Sequence, residues 1–272
     1  MPRSLVPLLS FLTILIFACS ATVLAQAPPS EQLEVAPPQM RRVEPPNPSW
    51  TADQLEKQGD VLRVEKAYLD ALDYFEAALP KTSNKPLLLN KIGITNLQLQ
   101  RYKEARKYFE RATKADKTYA DAYNNIGVIY YIQKKYGKAV KQYDKALKLR
   151  DDSASFHSNL ATAYFSKKEF ENAMTEYSRA LQLDPDIFEH TSQTGVAAQM
   201  SSPEDRAHYD YMVAKMYARL GVSDRSLEYL RKAMEEGYKD IGKVYQDTEF
   251  ATLRKDPRFT QLMAQRPASI PE

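Results

Sequence analysis

The 272-residue chain has one cysteine, one tryptophan, three histidines and only eight glycines. With Cys19 as the sole thiol, no disulfide can form within the chain, and no multi-cysteine metal site can be built. The few glycines include no phosphate-cradling loop, and there is no nucleophile elbow or paired-histidine helix motif. His157, His190 and His208 lack metal-ligand spacing, and His157 falls at a position that reads as a packed ring. Carboxylates are scattered among lysines and arginines as helix-surface partners. No catalytic, cofactor-binding or metal-binding residue is therefore expected, and the chain does not read as an enzyme.

What the chain has is period. In the stretch 120–153, Tyr123, Ile126, Gly127 and Tyr130 recur at helical spacing. After a break at 133–135, so do Tyr136, Ala139, Tyr143 and Ala146. The pattern predicts two helices folded back on each other, with small residues where the backbones cross and rings in the wider gaps. Such a hairpin cannot bury its own apolar stripe and needs neighbours of the same kind. Those neighbours lie 34 residues away in both directions: Gly59, Gly93, Gly127 and Ala161 at one crossing position, and Ala71, Ala105, Ala139 and Ala173 at the other. The large ring recurs as Phe75, Phe109, Tyr143 and Tyr177, followed by Ala78, Ala112, Ala146 and Ala180.

On these residues the chain resembles the tetratricopeptide repeat (TPR) family, closely over about 52–187 and again for one later unit. The resemblance implies an all-α fold, a right-handed α-solenoid of helix hairpins with short C-terminal capping helices. Two departures bear on regularity. The bulky first-helix residue is Leu55, Leu89, Tyr123 and His157 rather than consistently aromatic, and the repeat-ending proline appears only as Pro185.

Residues 1–25 carry one early charge, Arg3, then an apolar run ending in small residues, and read as an export signal cleaved after Ala25 or Ala27. Cleavage would leave a mature chain without a thiol, which suits an oxidising periplasm. A lipoprotein-like site at Cys19 is a lesser alternative, because Phe17 is too large for that pattern. Residues 26–50 hold seven prolines and read as a disordered linker, with Trp50 folding onto the first helix. Four units follow at 52–85, 86–119, 120–153 and 154–187. Residues 188–206 break the period as an insertion loop, in which Ser202-Pro203 restarts a helix. A fifth, degenerate unit occupies 207–240, with Ser226 where alanine is expected. Residues 241–272 form capping helices and a tail, carrying Phe250, Leu253, Phe259 and Leu262 and an Asp256-Pro257 helix start.

The resemblance further implies that first helices line a concave groove, with groove-facing residues at the second, fifth, ninth and twelfth positions of each unit. Here these include Leu87, Asn90, Ile94 and Leu97, then Asn124, Val128 and Tyr131, then Thr162 and Phe165. Aliphatic and aromatic anchors beside amides suit an extended peptide. Asn125 and Asn159 take the adjacent position, where a packing or hydrogen-bonding role is expected. The basic clamp with which some family members hold a terminal carboxylate is not matched, since Glu56 and Asp60 stand where it would start.

Charge is polarised along the chain. Residues 101–150 carry 14 Lys/Arg against 5 Asp/Glu, whereas 151–272 carry 15 against 20. The excess falls on second helices, at Arg106, Lys107, Lys114, Lys138, Lys141, Lys145 and Lys148. It could meet an acidic protein or an anionic envelope surface, while an export signal disfavours nucleic acid. The functional expectation is a non-enzymatic interaction scaffold of a bacterial periplasm or envelope, with a protein or peptide partner. The alternative is a membrane-tethered accessory of an envelope assembly, held by an uncleaved or lipidated N-terminus.

Overall fold

A computed structural model of the protein describes residues 44–188 and 202–265. Among the described residues there are eleven α-helices and no strand. Four hairpins come first: α1 (Ala52–Val64) with α2 (Tyr68–Ala78), α3 (Lys85–Gln98) with α4 (Tyr102–Ala115), α5 (Ala120–Ile132) with α6 (Tyr136–Leu149), and α7 (Ala154–Ser166) with α8 (Phe170–Leu183). A fifth hairpin is α9 (Pro203–Arg219) with α10 (Ser223–Glu235). Three 3-10 turns, Ile241–Tyr245, Thr248–Phe250 and Leu253–Lys255, lead into α11 (Pro257–Gln265).

Each hairpin closes on the predicted residues. An added Cβ at Gly59 would lie 2.5 Å from the Phe75 ring, and one at Gly127 2.5 Å from the Tyr143 ring, while Gly93 meets Phe109 more closely still. In these three hairpins glycine lets the ring lie against the first helix, in space that a side chain would otherwise take. The crossing alanines Ala71, Ala105, Ala139 and Ala173 are fully buried. Replacing a ring such as Phe109 with alanine would cost about 3–5 kcal/mol by leaving a cavity.

The turn inside each hairpin is closed by one left-handed residue. Lys66, Gln100, Lys134 and Lys168 have φ of 60°, 58°, 57° and 63°, at intervals of one unit, and Gly221 does the same in the fifth hairpin at 75°. In unit 3 the Lys134 amide donates to the Tyr131 carbonyl (2.7 Å) and the Lys135 amide to the Tyr130 carbonyl (2.8 Å). This nested pair satisfies the last carbonyls of the first helix and turns the chain back. The same pair of bonds recurs at every hairpin turn. First helices begin on side-chain caps where the sequence offers one. Thr51 and Gln54 form a reciprocal capping box, Asn84 caps α3 and Ser202 caps α9.

Both ends of the stack are covered. At the start, the segment 44–50 lies along the second helix: Trp50 meets Tyr74 at 6.0 Å between ring centroids, and Lys81 donates to the Pro48 (2.7 Å) and Trp50 (2.6 Å) carbonyls. The Tyr74 hydroxyl donates to the Glu44 carbonyl (3.1 Å). Trp50 thus packs on the apolar cluster that α1 and α2 build together, with Leu55 and Leu62 from α1 and Tyr74 from α2. The last seven residues of the expected linker are held rather than loose. At the other end Phe250, Leu253, Phe259 and Leu262 are buried under the fifth hairpin. Lys215 of α9 bridges Asp247 (3.0 Å) and Glu249 (3.4 Å), and Tyr211 donates to Asp247 (2.9 Å).

The break in period is shorter than its sequence suggests. Phe188 is buried against Tyr177, Tyr209 and Tyr217, so it belongs to the core. Pro203 to Arg206 already form the first turn of α9. The remainder of that expected loop, 189–201, lies outside the described residues, as do the expected export signal, most of the linker and the final tail. Val213, Ala214, Tyr217, Leu230 and Ala233 of the fifth hairpin are buried as expected, and the Ser226 hydroxyl donates to the Ala214 carbonyl (2.8 Å) at its crossing. No helix among the described residues is long and apolar enough to cross a membrane.

Candidate partner-binding groove

Within the four-unit stack, α3 packs against α5 and α5 against α7, while α4 and α6 pack chiefly against the first helices on either side of them. The first helices therefore form the inner row and the second helices the outer one. The inner row is tied by a chain of amides. Asn159 donates to Asn124 Oδ1 (3.0 Å), Asn124 to Asn125 Oδ1 (3.2 Å), and Asn125 to Asn90 Oδ1 (2.9 Å). Three helices are thus joined by side-chain bonds in a poorly solvated setting, where satisfied networks fix the register of neighbours. Asn125 and Asn159 do take the hydrogen-bonding role expected of them. Asn90 also meets the Tyr119 hydroxyl, whose pKa is pushed up to about 12 by burial and by Asp121.

The nine expected groove residues divide by exposure. Leu87, Ile94 and Leu97 on α3 are half-buried, and their apolar surface stays partly open. Asn90 and Asn124 are buried with their oxygens engaged in the amide chain. Val128 and Tyr131 are buried in the core, with the Tyr131 hydroxyl 3.0 Å from Ser166 Oγ and its ring 5.3 Å from Tyr136. Thr162 and Phe165 are fully enclosed. Thr162 Oγ1 donates to the Ser158 carbonyl (2.8 Å) and accepts from the Tyr177 hydroxyl (2.8 Å). Phe165 packs edge-on against Phe170, His208 and Tyr209, at the seam between the fourth and fifth hairpins. These two side chains support the inner surface from behind.

At the entrance of the row, Lys91 spans from α3 to α1. Its ammonium lies 2.6 Å from Glu56 and 2.5 Å from Asp60. Burial pulls the Lys91 pKa down, and the Asp60 and Glu56 carboxylates outweigh that, so it is raised. Where a basic clamp would begin, two carboxylates are already engaged by Lys91 inside the protein. Spacing carried the signal: Lys91 follows Glu56 by about one repeat.

His157 is buried with both ring nitrogens engaged, Nδ1 by Glu176 (2.6 Å) and Nε2 by the Asp151 carbonyl (3.0 Å). Among the described residues no group of three His, Cys, Asp or Glu side chains could hold a metal ion.

Family profiles agree with this architecture. Those described as TPR repeat and Tetratricopeptide repeat match residues 129–167, 154–187 and 88–119. No curated protein sequence matches the chain. Among solved structures, the chain is similar to TTC0263, a thermophilic TPR protein of Thermus thermophilus (20% identity, 79% of this chain and 100% of that one, TM-score 0.47). It is also similar to PilF of Pseudomonas aeruginosa (18%, 75% and 82%, 0.49) and to MamA from Desulfovibrio magneticus RS-1 (19%, 68% and 94%, 0.47).

Proposed function

Since the chain belongs to the tetratricopeptide repeat family, whose repeats mediate protein–protein interaction, we propose that it is a non-enzymatic scaffold that holds an extended segment of a partner along its inner row. The observation that carries the reading is the pairing of open apolar surface at Leu87, Ile94 and Leu97 with the amides of Asn90 and Asn124 one turn or one unit away. Aliphatic side chains of a partner would settle on α3. An amide hydrogen of Asn90 not taken by Tyr119 would serve its main chain. Val128 and Tyr131 would extend that floor into the third unit, with Thr162 and Phe165 fixing the fourth.

Photo-crosslinking tests this. A crosslinking amino acid at Ile94 should trap a partner protein, and the same residue at Lys114 on the outer row should not. Changing Asn90, Asn124 and Tyr131 together to alanine should abolish capture while helicity is retained. Capture that survives with full yield would remove the groove from the function.

The apolar run near the N-terminus supports export, followed by work in the periplasm or envelope. Sequencing the N-terminus of the protein from fractionated cells separates the two modes. A soluble form beginning at Gln26 fits a free scaffold. A detergent-phase form retaining residues 1–25, or beginning at a lipid-modified Cys19, fits the tethered accessory.

A further inference from the structure

The outer row carries a second surface that the groove does not use. On α4, Lys107, Arg111 and Lys114 are exposed, and one repeat later Lys141, Lys145 and Lys148 are exposed on α6. The spacings of three and four residues put each set on one helix face, as a stripe about 10 Å long. Equivalent helices of successive units run in the same direction, so the stripes lie side by side. Among the described residues, none of these six side chains has a carboxylate within ion-pair distance. Arg111 lies over the Tyr108 ring (4.9 Å) and Lys145 over the Tyr123 ring (4.1 Å), contacts that do not consume their charge.

The feature is local. The same three positions are Asp73, Ala77 and Pro80 in the first unit, Thr175, Arg179 and Gln182 in the fourth, and Glu228, Lys232 and Glu235 in the fifth. A general demand for soluble helix surface would be met equally by either sign of charge, and elsewhere in this stack it is. Only the second and third units present cations alone at all three positions.

Two properties identify what such a face fits. Five of its six cations are lysines, mobile point charges without the fork geometry that clamps one ordered carboxylate or phosphate. Among the described residues no exposed aromatic adjoins the stripes and Leu149 is a single exposed aliphatic beside the α6 set, whereas protein interfaces are depleted in lysine at their centre and rely on clustered anchors. We infer that the α4 and α6 outer faces form an electrostatic docking surface for an anionic lipid bilayer. The contact is with headgroups, without insertion into the hydrocarbon. Lysines near such a surface act nearly independently, so the contact is strong only as a set and weakens with salt.

Vesicle co-sedimentation of the full chain tests the inference. The probes are vesicles of phosphatidylglycerol mixed with phosphatidylcholine, and of phosphatidylcholine alone. The apolar N-terminal run is common to every protein compared, and its contribution is the binding to neutral vesicles. A variant with Lys107, Lys114, Lys141 and Lys145 changed to Gln should lose about 10- to 100-fold in partition to the anionic vesicles. A control with Lys57, Arg231, Lys239 and Lys255 changed to Gln has the same net charge and should bind like wild type. Raising salt to 0.5 M should erase the difference between the vesicle types. Equal binding to both vesicle types at low salt, or an equal loss in the control, would overturn the inference. So would binding to polyglutamate without binding to anionic vesicles, which would reassign the stripes to an acidic protein.

Discussion

The third and fourth units bury the same ring at the same crossing and complete it differently. In the fourth, the Tyr177 hydroxyl donates to Thr162, which passes its own hydrogen to the Ser158 carbonyl. In the third, the position of Thr162 is held by Val128, and the Tyr143 hydroxyl is buried without a hydrogen-bond partner among the described residues. Burial raises the pKa of both phenols well above the ordinary value, so both are neutral and both need a partner for the O–H. The backbone crossing differs as well. Gly127 lies under Tyr143, but Ala161 lies under Tyr177. A repeat therefore specifies where a ring sits without specifying how its polar end is satisfied. In the two units whose ring is a tyrosine, that second task falls to the residue one position along the first helix, Val128 in the third and Thr162 in the fourth.

The sharpest way to break the comparison is to give the third unit the crossing residue of the fourth. Gly127→Ala sets a methyl 2.5 Å from the Tyr143 ring and should destabilise by about 1–3 kcal/mol, read as a lower urea midpoint at unchanged slope. Adding Val128→Thr to that variant reproduces the fourth unit's pair. If the ring moves to the new hydroxyl, the two changes should couple favourably in a double-mutant cycle, and strict additivity would show that the ring is fixed by its other neighbours. Next in size is Thr162→Val, which orphans Tyr177 as Tyr143 is orphaned. It should cost about 1–3 kcal/mol by the same measurement. Tyr143→Phe removes an unpaired hydroxyl and should be neutral or stabilise by up to about 1 kcal/mol, whereas Tyr177→Phe should destabilise by about that amount. Equal effects of the two Tyr→Phe changes would mean that the third unit satisfies its phenol after all.

The sequence announces some of this and conceals the rest for physical reasons. The crossing glycines and alanines and the buried rings are legible because close approach of two backbones admits few residue types, and it recurs every 34 residues. The fifth hairpin is legible by the same logic, with Ser226 standing for alanine because its hydroxyl finds the Ala214 carbonyl. The limits of the break in period are less visible. Phe188 and the start of α9 join the core through contacts with Tyr177 and Tyr209 that are remote in sequence. In the candidate groove, the family resemblance points to Leu87, Ile94 and Leu97 as inner-row positions, and residue type adds only that they are apolar. It does not reveal that Thr162 turns toward Tyr177, because a threonine on a first helix reads the same whether it faces a partner or a buried phenol. The amide chain had a trace in the spacing, with Asn90 and Asn124 one unit apart and Asn125 and Asn159 likewise. Only the helix packing shows that these amides bond one another.

The smallest effect concerns the hairpin turns, which composition hides. A left-handed residue is usually glycine, yet four successive units use Lys66, Gln100, Lys134 and Lys168, and only the fifth uses Gly221. The nested turn bonds impose the conformation whichever residue stands there, so each non-glycine residue carries a steric penalty of about 1 kcal/mol. Against that, glycine loses more backbone freedom on folding. Lys134→Gly should therefore stabilise by only a few tenths of a kcal/mol to about 1 kcal/mol, and Gly221→Lys should destabilise by a similar amount. The Gly127→Ala background sharpens the test, because it brings the unfolding midpoint into a range where small shifts are measured well. If Lys134→Gly restores part of the lost midpoint there, the turn and the crossing act as separate contributions within one hairpin. If it restores nothing, the turn geometry yields when the crossing is overpacked, and the third unit differs from the fourth along its whole length rather than at one ring.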